Sequence, residues 1–431
     1  MKLRIEKAVY GGAGLARAEG KAVFVPFTLP GETVEARVTE DKRSYSTAEV
    51  ETVTEASAAR VTAPCRYFGA CGGCQYQHAG YAAQVEMKTA ILRESLERAR
   101  VKEIPEIAAV TGEPFAYRNR VRLHVERNPF SLCYKRRNSH ANLAVEACAI
   151  AAPALERAIG ALNREGGKLG LGAWAREIEL FANADGSSVL MALWTELQAG
   201  EGERALAGLW TGLREMVPEM GGAAVFAMER ERRAPRVVAK VGGDSLRYRV
   251  GGHEYRVSAG SFFQVNRFLI DRLVELVTAG ESGGAAWDLY AGVGLFSLPL
   301  TEMFAEVTAV ETGASAVRDL RENLREAGSA KGHRVAAAET AAFLRHAAEG
   351  RANEPDLVVV DPPRDGLGGA VTTLLGKIRP QRITYVSCDP ATLSRDVAAL
   401  LESGYRLAQV HLVDLFPQTF HLESVTHLML G

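Results

Sequence analysis

The stretch Ile383-Thr384-Tyr385-Val386-Ser387-Cys388-Asp389-Pro390 decides the fold. An apolar, β-branched run ends in Ser-Cys-Asp-Pro, and the residues from Ala391 to Leu401 have the pattern of a helix. The sequence therefore predicts a strand, a turn that carries Cys388, and a helix. In an open α/β sheet, chemistry takes place outside the carboxyl ends of the strands. The positive end of the following helix is expected to favour the thiolate form of Cys388.

Three earlier segments have the same strand-and-turn pattern. They are Ala286 to Phe296, which runs into a Gly-x-Gly turn, Val307 to Glu311, which ends in an acid, and Asp356 to Arg364, which ends in Asp-Pro-Pro-Arg. This alternation of strands and helices predicts a doubly wound parallel sheet. The glycine turn followed by Glu311 indicates an adenosine-containing cofactor. Because the turn lacks the three-glycine dinucleotide pattern, S-adenosylmethionine is favoured over a nicotinamide cofactor.

The first 55 residues or so have an all-β pattern. Strand character is present at 22–25, 32–38 and 48–53, with glycine- and proline-containing turns between them. Short strands without helices predict a small five-stranded barrel of the OB type. Such barrels commonly bind oligonucleotides, yet this segment holds eight Lys/Arg against nine Asp/Glu. An RNA-binding barrel and a purely structural β module therefore both remain open.

Three cysteines follow the barrel within ten residues, in a C-x5-C-x2-C pattern at Cys65, Cys71 and Cys74. This spacing predicts a metal site, with Cys133 or Cys148 as the fourth ligand. Zinc and a cubic iron–sulfur cluster both accept four thiolates, and the wide x5 spacing favours iron–sulfur. A structural role and an electron-transfer role both remain open.

A local basic segment lies between Phe115 and His140, with seven Lys/Arg and one acidic residue, Glu126. Alternating arginines would lie on one face of a strand, where guanidinium groups suit phosphate. The candidate RNA-binding residues are Arg118, Arg120, Arg122, Arg136 and Arg137. Residues 150–250 have a mixed α/β pattern, with strands near 177–181, 188–194 and 225–228, and are expected to be a scaffold.

The whole chain sets limits on these interpretations. With 431 residues it is long enough for two to three domains. Its net charge of -1 gives no global sign of a nucleic-acid partner. The charged opening Met1–Glu6 is unlike a signal peptide, and no apolar run is long enough to span a bilayer. We therefore expect a cytoplasmic monomer with no membrane contact, in which six cysteines serve metal binding or catalysis.

Taken together, these motifs resemble the RNA 5-methyluridine methyltransferases, especially the bacterial 23S rRNA (uracil-5-)-methyltransferases, over nearly the whole chain. The matching blocks are the N-terminal barrel, Cys65-x5-Cys71-x2-Cys74, Tyr117 to Arg122, Gly260 to Asn266, Asp288 to Phe296, Asp361 to Arg364, Ser387 to Pro390 and Phe416 to Glu423. The occurrence of the last four blocks in this order is highly specific for the family.

The resemblance implies three domains. They are a TRAM-like barrel at 1–56, a central α/β iron–sulfur and RNA-binding domain at 57–250, and a Rossmann-like methyltransferase domain at 251–431. The helix predicted at 80–100 is expected to pack on the catalytic domain. The resemblance further implies a 4Fe–4S cluster whose fourth ligand is Cys148.

Residue roles are also implied by the resemblance. Cys388 matches the nucleophile and Glu423 the base that removes a proton from carbon 5 of uracil. The cofactor pocket is expected to be lined by Gln264, Tyr290, Glu311 and Asp361. Two positions depart from the family pattern. Leu295 replaces a frequent asparagine, so one polar cofactor contact is expected to be missing, and Gln418 replaces a frequent histidine with no expected consequence.

Two alternatives come from other functional classes. An iron–sulfur oxidoreductase predicts a nicotinamide or flavin site, but gives no role to Ser-Cys-Asp-Pro or to Glu423. A non-catalytic RNA-binding protein predicts that Cys388→Ala changes no measurable property. Within the methyltransferase interpretation, transfer RNA is the alternative to ribosomal RNA as substrate.

Overall fold

The computed structural model describes residues 1–228, 236–328, 332–351 and 354–431. Within these ranges, no helix combines the length and the apolar character that crossing a membrane requires.

The first 55 residues form a closed barrel. Its strands are Lys2–Ala8 (β1), Ala13–Ala18 (β2), Lys21–Pro26 (β3), Thr33–Asp41 (β4) and Tyr45–Glu55 (β5), hydrogen-bonded in the order β1-β2-β3-β5-β4. Alternate residues of β1 point inward, as in a strand with one buried face. Closure leaves no free edge. The predicted five-stranded barrel is confirmed.

An irregular segment that carries the first three cysteines leads from the barrel into helix Tyr81–Arg98 (α1) and strand Ile107–Val110 (β6). The buried face of α1 includes Met87, Ile91 and Leu92, which share one hydrophobic core with Tyr385 and other residues of the C-terminal sheet. The helix expected at 80–100 thus packs on the sheet that carries Cys388.

The central region is built on a seven-stranded sheet in the order β13-β12-β11-β10-β7-β8-β9. All neighbouring strands are antiparallel except β11 and β12, whose parallel pairing is allowed by a helical crossover. The strands are Arg120–Arg127 (β7), Phe130–Lys135 (β8), Asn142–Ala144 (β9), Ala175–Ala182 (β10), Val189–Thr195 (β11), Met220–Ala227 (β12) and Arg236–Gly242 (β13); the helices are Pro153–Glu165 (α2), Leu171–Trp174 (α3) and Ala199–Met216 (α4).

A separate antiparallel hairpin joins the central and C-terminal regions. Its strands are Ser245–Val250 (β14) and His253–Ser258 (β15). The boundary expected between residues 250 and 251 falls in the turn of this hairpin.

The C-terminal region is an eight-stranded sheet in the order β18-β17-β16-β19-β20-β22-β21-β6. The elements are Ile270–Thr278 (α5), Gly283–Leu289 (β16), Ser297–Leu300 (α6), Phe304–Glu311 (β17), Ala314–Glu326 (α7), His333–Ala337 (β18), Thr340–His346 (α8), Leu357–Val360 (β19), Gly368–Ile378 (α9), Arg382–Ser387 (β20), Pro390–Glu402 (α10), Tyr405–Val413 (β21) and Glu423–Leu430 (β22).

Strands β16 to β20 are mutually parallel, while β22 runs antiparallel to both β20 and β21. All four residues of β19 are buried, as expected of a strand covered on both faces. The chain builds β17 and β18 on one side of β16 and the later strands on the other. The carboxyl ends of β16 and β19 therefore flank the topological switch point, where ligands of such sheets bind. The doubly wound prediction is confirmed, with an antiparallel edge added.

Candidate active site

The four residues expected to line the cofactor pocket lie at or near the carboxyl edge of the sheet. Tyr290 directly follows β16, Glu311 ends β17, and Asp361 directly follows β19, so three adjacent strands deliver these side chains to the switch point. The main-chain N–H of Asp361 donates to the carbonyl oxygen of Leu289 at 3.3 Å, which ties the two strand ends together.

The glycine turn after β16 is held by the predicted acid. One oxygen of Glu311 accepts a hydrogen bond from Gly292 N–H at 2.9 Å, and the other accepts from Gly313 N–H at 2.7 Å. Gly292 has φ of +56°, and a side chain there would extend into open space, where a ligand can approach the backbone. Backbone donors, a carboxylate and an aromatic ring at one strand edge fit an adenosine group.

Leu295, the departure from the family pattern, lies under this turn. Its side chain is buried in the same core cluster as Leu298 and Leu320, and its carbonyl oxygen accepts from the Tyr255 hydroxyl at 3.0 Å. A side chain in this position stabilises the turn from below.

Gln264 is 5% exposed and belongs to the loop between β15 and α5. Its main-chain carbonyl accepts from the amide of Asn119 at 3.0 Å. Sequence reasoning missed what fixes this loop: the carboxylate of Asp319 accepts from the hydroxyls of both Ser258 and Ser261, at 2.7 and 3.1 Å. Asp319 is the sixth residue of α7, and the local sequence gave no signal of that role.

Cys388 occupies the turn between β20 and α10, as predicted. Asp389 caps the helix, because its carboxylate accepts hydrogen bonds from the N–H groups of Ala391 and Thr392, both at 3.0 Å. The first N–H groups of α10 are therefore already satisfied by a carboxylate.

The predicted lowering of the thiol pKa is wrong. Burial, followed by the neighbouring carboxyls of Glu423 and Asp361, raises the pKa of Cys388 to about 12, while the charge of Arg364 opposes them. Desolvation of the charged form outweighs the effect of the helix terminus, whose first N–H groups are already bonded to Asp389.

Glu423 is the first residue of β22 and lies beside Cys388. In the antiparallel register Ser387 is opposite Ser424, so Glu423 lies next to the end of β20, where Cys388 follows. The side chain of Glu423 is 3% exposed. Burial, followed by the charge of Asp361, raises its pKa well above the usual range. The structure thus brings Cys388, Glu423 and Asp361 together.

A buried acid that sequence reasoning did not select lies behind this group. Burial raises the pKa of Asp288 to about 7, against a hydrogen bond from Ser297. Burial, followed by the charge of Asp288, also raises the pKa of Asp361 to about 7. Carboxyls that share a desolvated site cannot all ionise at neutral pH.

The segment before Glu423, from Asp414 to Leu422, is fixed by other parts of the chain. The ammonium of Lys88 on α1 pairs with Asp414 at 2.6 Å and donates to the carbonyl oxygen of Phe416 at 2.9 Å. Both charged side chains are buried. The hydroxyl of Tyr117 donates to the carbonyl oxygen of Pro417 at 3.1 Å. These anchors come from residues far away in sequence, which no local pattern announces.

The barrel also reaches this site. Tyr10, in the turn between β1 and β2, donates its hydroxyl hydrogen to the carbonyl oxygen of Cys388 at 3.3 Å. Its ring packs edge-on against Phe420, with centroids 5.4 Å apart. The N-terminal barrel therefore contacts the turn that carries Cys388.

The four cysteines expected to bind a cluster influence one another electrostatically. Burial raises the pKa of Cys74 to about 12, and the thiols of Cys148, Cys71 and Cys65 contribute in the same direction. The N–H of Gly73 donates to the sulfur of Cys71 at 3.4 Å. Yet across the ranges described, no group of three or more His, Cys, Asp or Glu side chains has an arrangement that could hold a metal ion. Four thiols are a suitable set of ligands for an iron–sulfur cluster, but the sulfur atoms would have to move closer together to bind one.

Cys133 and Cys148, the two candidates for the fourth ligand, occupy different surroundings. Cys133 is 1% exposed and lies in β8, apart from this group. Burial raises the pKa of Cys148, whereas a hydrogen bond from Tyr134 and the charge of Arg118 lower it. Arg118 thus has its charge directed at the cysteine site.

Two of the alternating arginines are engaged by acids of the neighbouring strand. Arg120 is mostly buried, pairs with Glu179 at 3.3 Å and stacks over Phe181. Arg122 pairs with Glu177 at 2.5 Å. The predicted alternation of arginines along β7 is present. Their guanidinium groups do not form a free row, however, because β10 places these acids opposite β7.

The basic hairpin end is the more accessible part. Arg136 is exposed, and Arg137 stacks over Phe27 of the barrel at 4.9 Å. Backbone hydrogen bonds connect this hairpin to the cysteine segment. Gly72 N–H donates to the carbonyl oxygen of Lys135 at 3.0 Å, and Arg137 N–H donates to the carbonyl oxygen of Ala70 at 2.9 Å. Cysteines, barrel and basic hairpin therefore form one continuous surface.

Comparisons with known proteins cover both ends of the chain. The family described as tRNA (Uracil-5-)-methyltransferase matches residues 244–430, and the TRAM domain matches residues 1–50. A relative named 23S rRNA (uracil(1939)-C(5))-methyltransferase RlmD, from Pectobacterium atrosepticum, is 32% identical over 96% of this chain and 90% of its own length. An uncharacterized RNA methyltransferase of Aquifex aeolicus is 36% identical over 99% of this chain and 98% of its own.

Among solved structures, the tRNA (uracil-54, C5)-methyltransferase of Pyrococcus abyssi, in complex with S-adenosyl-L-homocysteine, matches with a TM-score of 0.77. It is 23% identical, and the match covers 100% of both chains. That likeness shows a shared fold.

Proposed function

The chain belongs to the RNA (uracil-5-)-methyltransferase family, and from that membership we propose that it methylates carbon 5 of a uridine in 23S ribosomal RNA. The observation that carries the proposal is the juxtaposition of Cys388 with Glu423 at the carboxyl edge of a doubly wound sheet. A thiol beside a buried carboxyl provides a nucleophile and a base in one desolvated site.

The chemistry requires both groups. Carbon 5 of uracil is too weak a nucleophile to attack a methyl group directly. The thiol proton of Cys388 passes to solvent as its sulfur adds to carbon 6, and the ring becomes an enolate with negative charge at carbon 5. When bound, S-adenosylmethionine supplies an electrophilic methyl group on a sulfonium. Glu423 then takes the proton from carbon 5, the C5–C6 double bond forms, and the bond from carbon 6 to sulfur breaks.

The cofactor would be held at the switch point. We assign Glu311 and the glycine turn to the adenosine part, and Tyr290, Asp361 and Gln264 to the remainder of the pocket. Support comes from the position of three of these residues at adjacent strand ends and from the open space over Gly292. Asp361, between the pocket and Cys388, is placed to orient the base.

We assign a 4Fe–4S cluster to Cys65, Cys71, Cys74 and Cys148, as a structural group. Four thiols and their mutual electrostatic influence support this assignment. Such a cluster would bind the cysteine segment to the basic hairpin beside it. Cys148→Ser should lose iron, visible absorbance and solubility together, whereas Cys133→Ser should keep all three. A folded, iron-free Cys148→Ser enzyme with full activity would contradict the assignment.

The RNA would lie across the barrel and the basic hairpin. Arg136 and Arg137 are the phosphate contacts we favour, because the first is exposed and the second joins the hairpin to the barrel. Arg120 and Arg122 would support that surface from within, through their pairs with acids of β10 and their stacking on aromatic rings, and Arg118 would do so through its charge beside Cys148. Since ribosomal RNA is the substrate, we place the enzyme in the cytoplasm, acting as a monomer.

The target uridine must leave its base stack to reach Cys388. The experiment that tests the function incubates the protein with S-adenosylmethionine and a 23S rRNA fragment in which uridine is replaced by 5-fluorouridine. Fluorine cannot leave carbon 5 as a proton does, so the reaction should stop with Cys388 bonded to carbon 6. A shifted band on a denaturing gel is expected.

The controls separate the alternatives. Cys388→Ala should abolish the band, and Cys133→Ala should keep it. A band with transfer RNA alone would move the substrate to that class. RNA binding without any band would support the non-catalytic alternative. If this enzyme shares the relative's named target, a 23S rRNA fragment that lacks the uridine equivalent to position 1939 should give no band.

A further inference from the structure

We propose that Gln418, partnered by Gln84, is a positioning residue that holds the segment before Glu423 and so sets the rate of proton removal from carbon 5. This inference rests on the proposed function and assigns a role to the position where no consequence was expected from the sequence. Gln418 touches neither the uridine nor the nucleophile in the proposed chemistry. It acts through the segment that leads to the base.

The two glutamines form a reciprocal pair. The side-chain N–H of Gln84 donates to the side-chain oxygen of Gln418 at 3.0 Å, and the main-chain N–H of Gln418 donates to the side-chain oxygen of Gln84 at 2.8 Å. Gln84 is 0% exposed and Gln418 is 3% exposed. Buried amide groups in such a pair are costly to leave without partners, so the pair fixes the segment against α1.

The backbone of Gln418 accepts two further hydrogen bonds. The N–H groups of Gln75 and Tyr76 both donate to its carbonyl oxygen at 2.9 Å, directly after Cys74. The side chain of Gln75 in turn accepts from Phe420 N–H at 3.3 Å. The cysteine segment, α1 and the segment before the base therefore meet at one residue.

Gln418 itself has an unusual conformation. Its φ is +70°, in the left-handed region that residues other than glycine, asparagine and aspartate rarely adopt. Such a conformation persists when the surrounding contacts determine it, and the two hydrogen bonds with Gln84 and the two from Gln75 and Tyr76 do so. Glu423 follows Gln418 by five positions, so a change in this turn shifts the buried carboxyl.

The proposal predicts a defect at one step. Addition of Cys388 to carbon 6 depends on the turn after β20, whereas removal of the proton from carbon 5 depends on Glu423. Loosening the segment should slow the second step more than the first. The enzyme would then accumulate as a covalent complex with methylated RNA, even though the substrate carries ordinary uridine.

Gln84→Met is the sharpest test. Methionine has a similar volume and no amide, so this variant removes both hydrogen bonds between Gln84 and Gln418, together with the one that Gln84 donates to the carbonyl oxygen of Ala79, without altering the segment itself. We expect kcat for methylated product to fall about tenfold, because general-base geometry is sensitive to small displacements. The fraction of RNA in the denaturant-resistant complex should rise several-fold over the wild-type enzyme, and KM for S-adenosylmethionine should stay unchanged.

Two further variants keep the test informative. Gln418→Gly tolerates the left-handed backbone and removes only the side chain, so it should show the same accumulation. Ile91→Val shortens a buried side chain of α1 and removes none of the hydrogen bonds to Gln418, so it should show no accumulation. An adduct-to-product ratio in Gln84→Met and Gln418→Gly equal to that of the wild-type enzyme would overturn the proposal. If the wild-type enzyme forms no adduct with 5-fluorouridine RNA, it is the proposed function that fails.

Discussion

The hydroxyl of Tyr10 in the barrel donates a hydrogen bond to the main-chain carbonyl oxygen of Cys388, 3.3 Å away and 378 residues later in the chain. The barrel thus contacts the turn that carries Cys388, in addition to its place on the surface where we propose that RNA lies. RNA held by the barrel would be positioned relative to Cys388 by a direct contact.

Removing this hydroxyl should weaken the connection without unfolding the barrel. We expect Tyr10→Phe to lower kcat/KM for RNA by about three- to tenfold, since one hydrogen bond contributes about 1 kcal/mol. Steady-state kinetics and thermal unfolding would be measured together. Tyr45→Phe, in the same barrel and packed edge-on against Phe24, is the matched control and should leave kcat/KM unchanged. Equal values of kcat/KM for the two variants would show that the contact between Tyr10 and the turn of Cys388 does not affect the reaction.

The thiol of Cys388 should react slowly with alkylating agents at neutral pH. Its raised pKa, about 12, keeps the thiolate scarce, so the rate should climb with pH up to at least pH 9.5. Asp361→Asn removes a negative charge and should speed alkylation at pH 8, whereas Arg364→Gln removes a positive charge and should slow it. Mass spectrometry of the Cys388 peptide would follow both. Shifts of the same sign in the two variants would contradict the electrostatic assignment.

Loss of the base should separate addition from release. Glu423→Gln keeps the shape of the side chain but cannot take up the proton from carbon 5, so we expect product formation to fall roughly 10²–10⁴-fold. The covalent complex with ordinary uridine RNA should persist on a denaturing gel. Its absence, with methyl transfer retained, would assign proton removal to another group.

The pair of Lys88 and Asp414 is buried, and breaking it should be expensive. Lys88→Met leaves an uncompensated carboxylate, which costs about 3–5 kcal/mol of unfolding free energy. Chemical denaturation would measure the loss. The double variant Lys88→Met with Asp414→Leu removes both charges and should recover most of the stability. If it is no more stable than Lys88→Met alone, the cost has a cause other than the buried charge.

The sequence was informative wherever function depends on local pattern. The turn after β20, the glycine turn with Glu311, and the barrel strands follow from periodicity and turn residues, and all lie where they were expected. The pKa of Cys388 did not follow, because burial and the approach of Glu423 depend on the packing of β22 against β20. Likewise, Arg120 is paired with Glu179 because β10 lies beside β7, a register that the arginine alternation does not encode.

Residues that connect distant segments were the hardest to find. Gln418 and Lys88 each look ordinary in sequence, and their roles arise from partners more than 300 residues away. Long-range pairs of this kind leave no periodic signal in a single chain.

Strand β6 gives the molecule a further property. It lies at the outer edge of the catalytic sheet, parallel to β21, although it comes from residues that precede the central sheet. A fragment starting at residue 251 would expose the hydrogen-bonding edge of β21 and the apolar surface that α1 covers. Both exposed surfaces would promote aggregation. A chimera that exchanges the RNA-binding regions of two such enzymes would therefore have to keep residues 81–110 together with the C-terminal region. For protein engineering, the domains of this chain are not separable at residue 251.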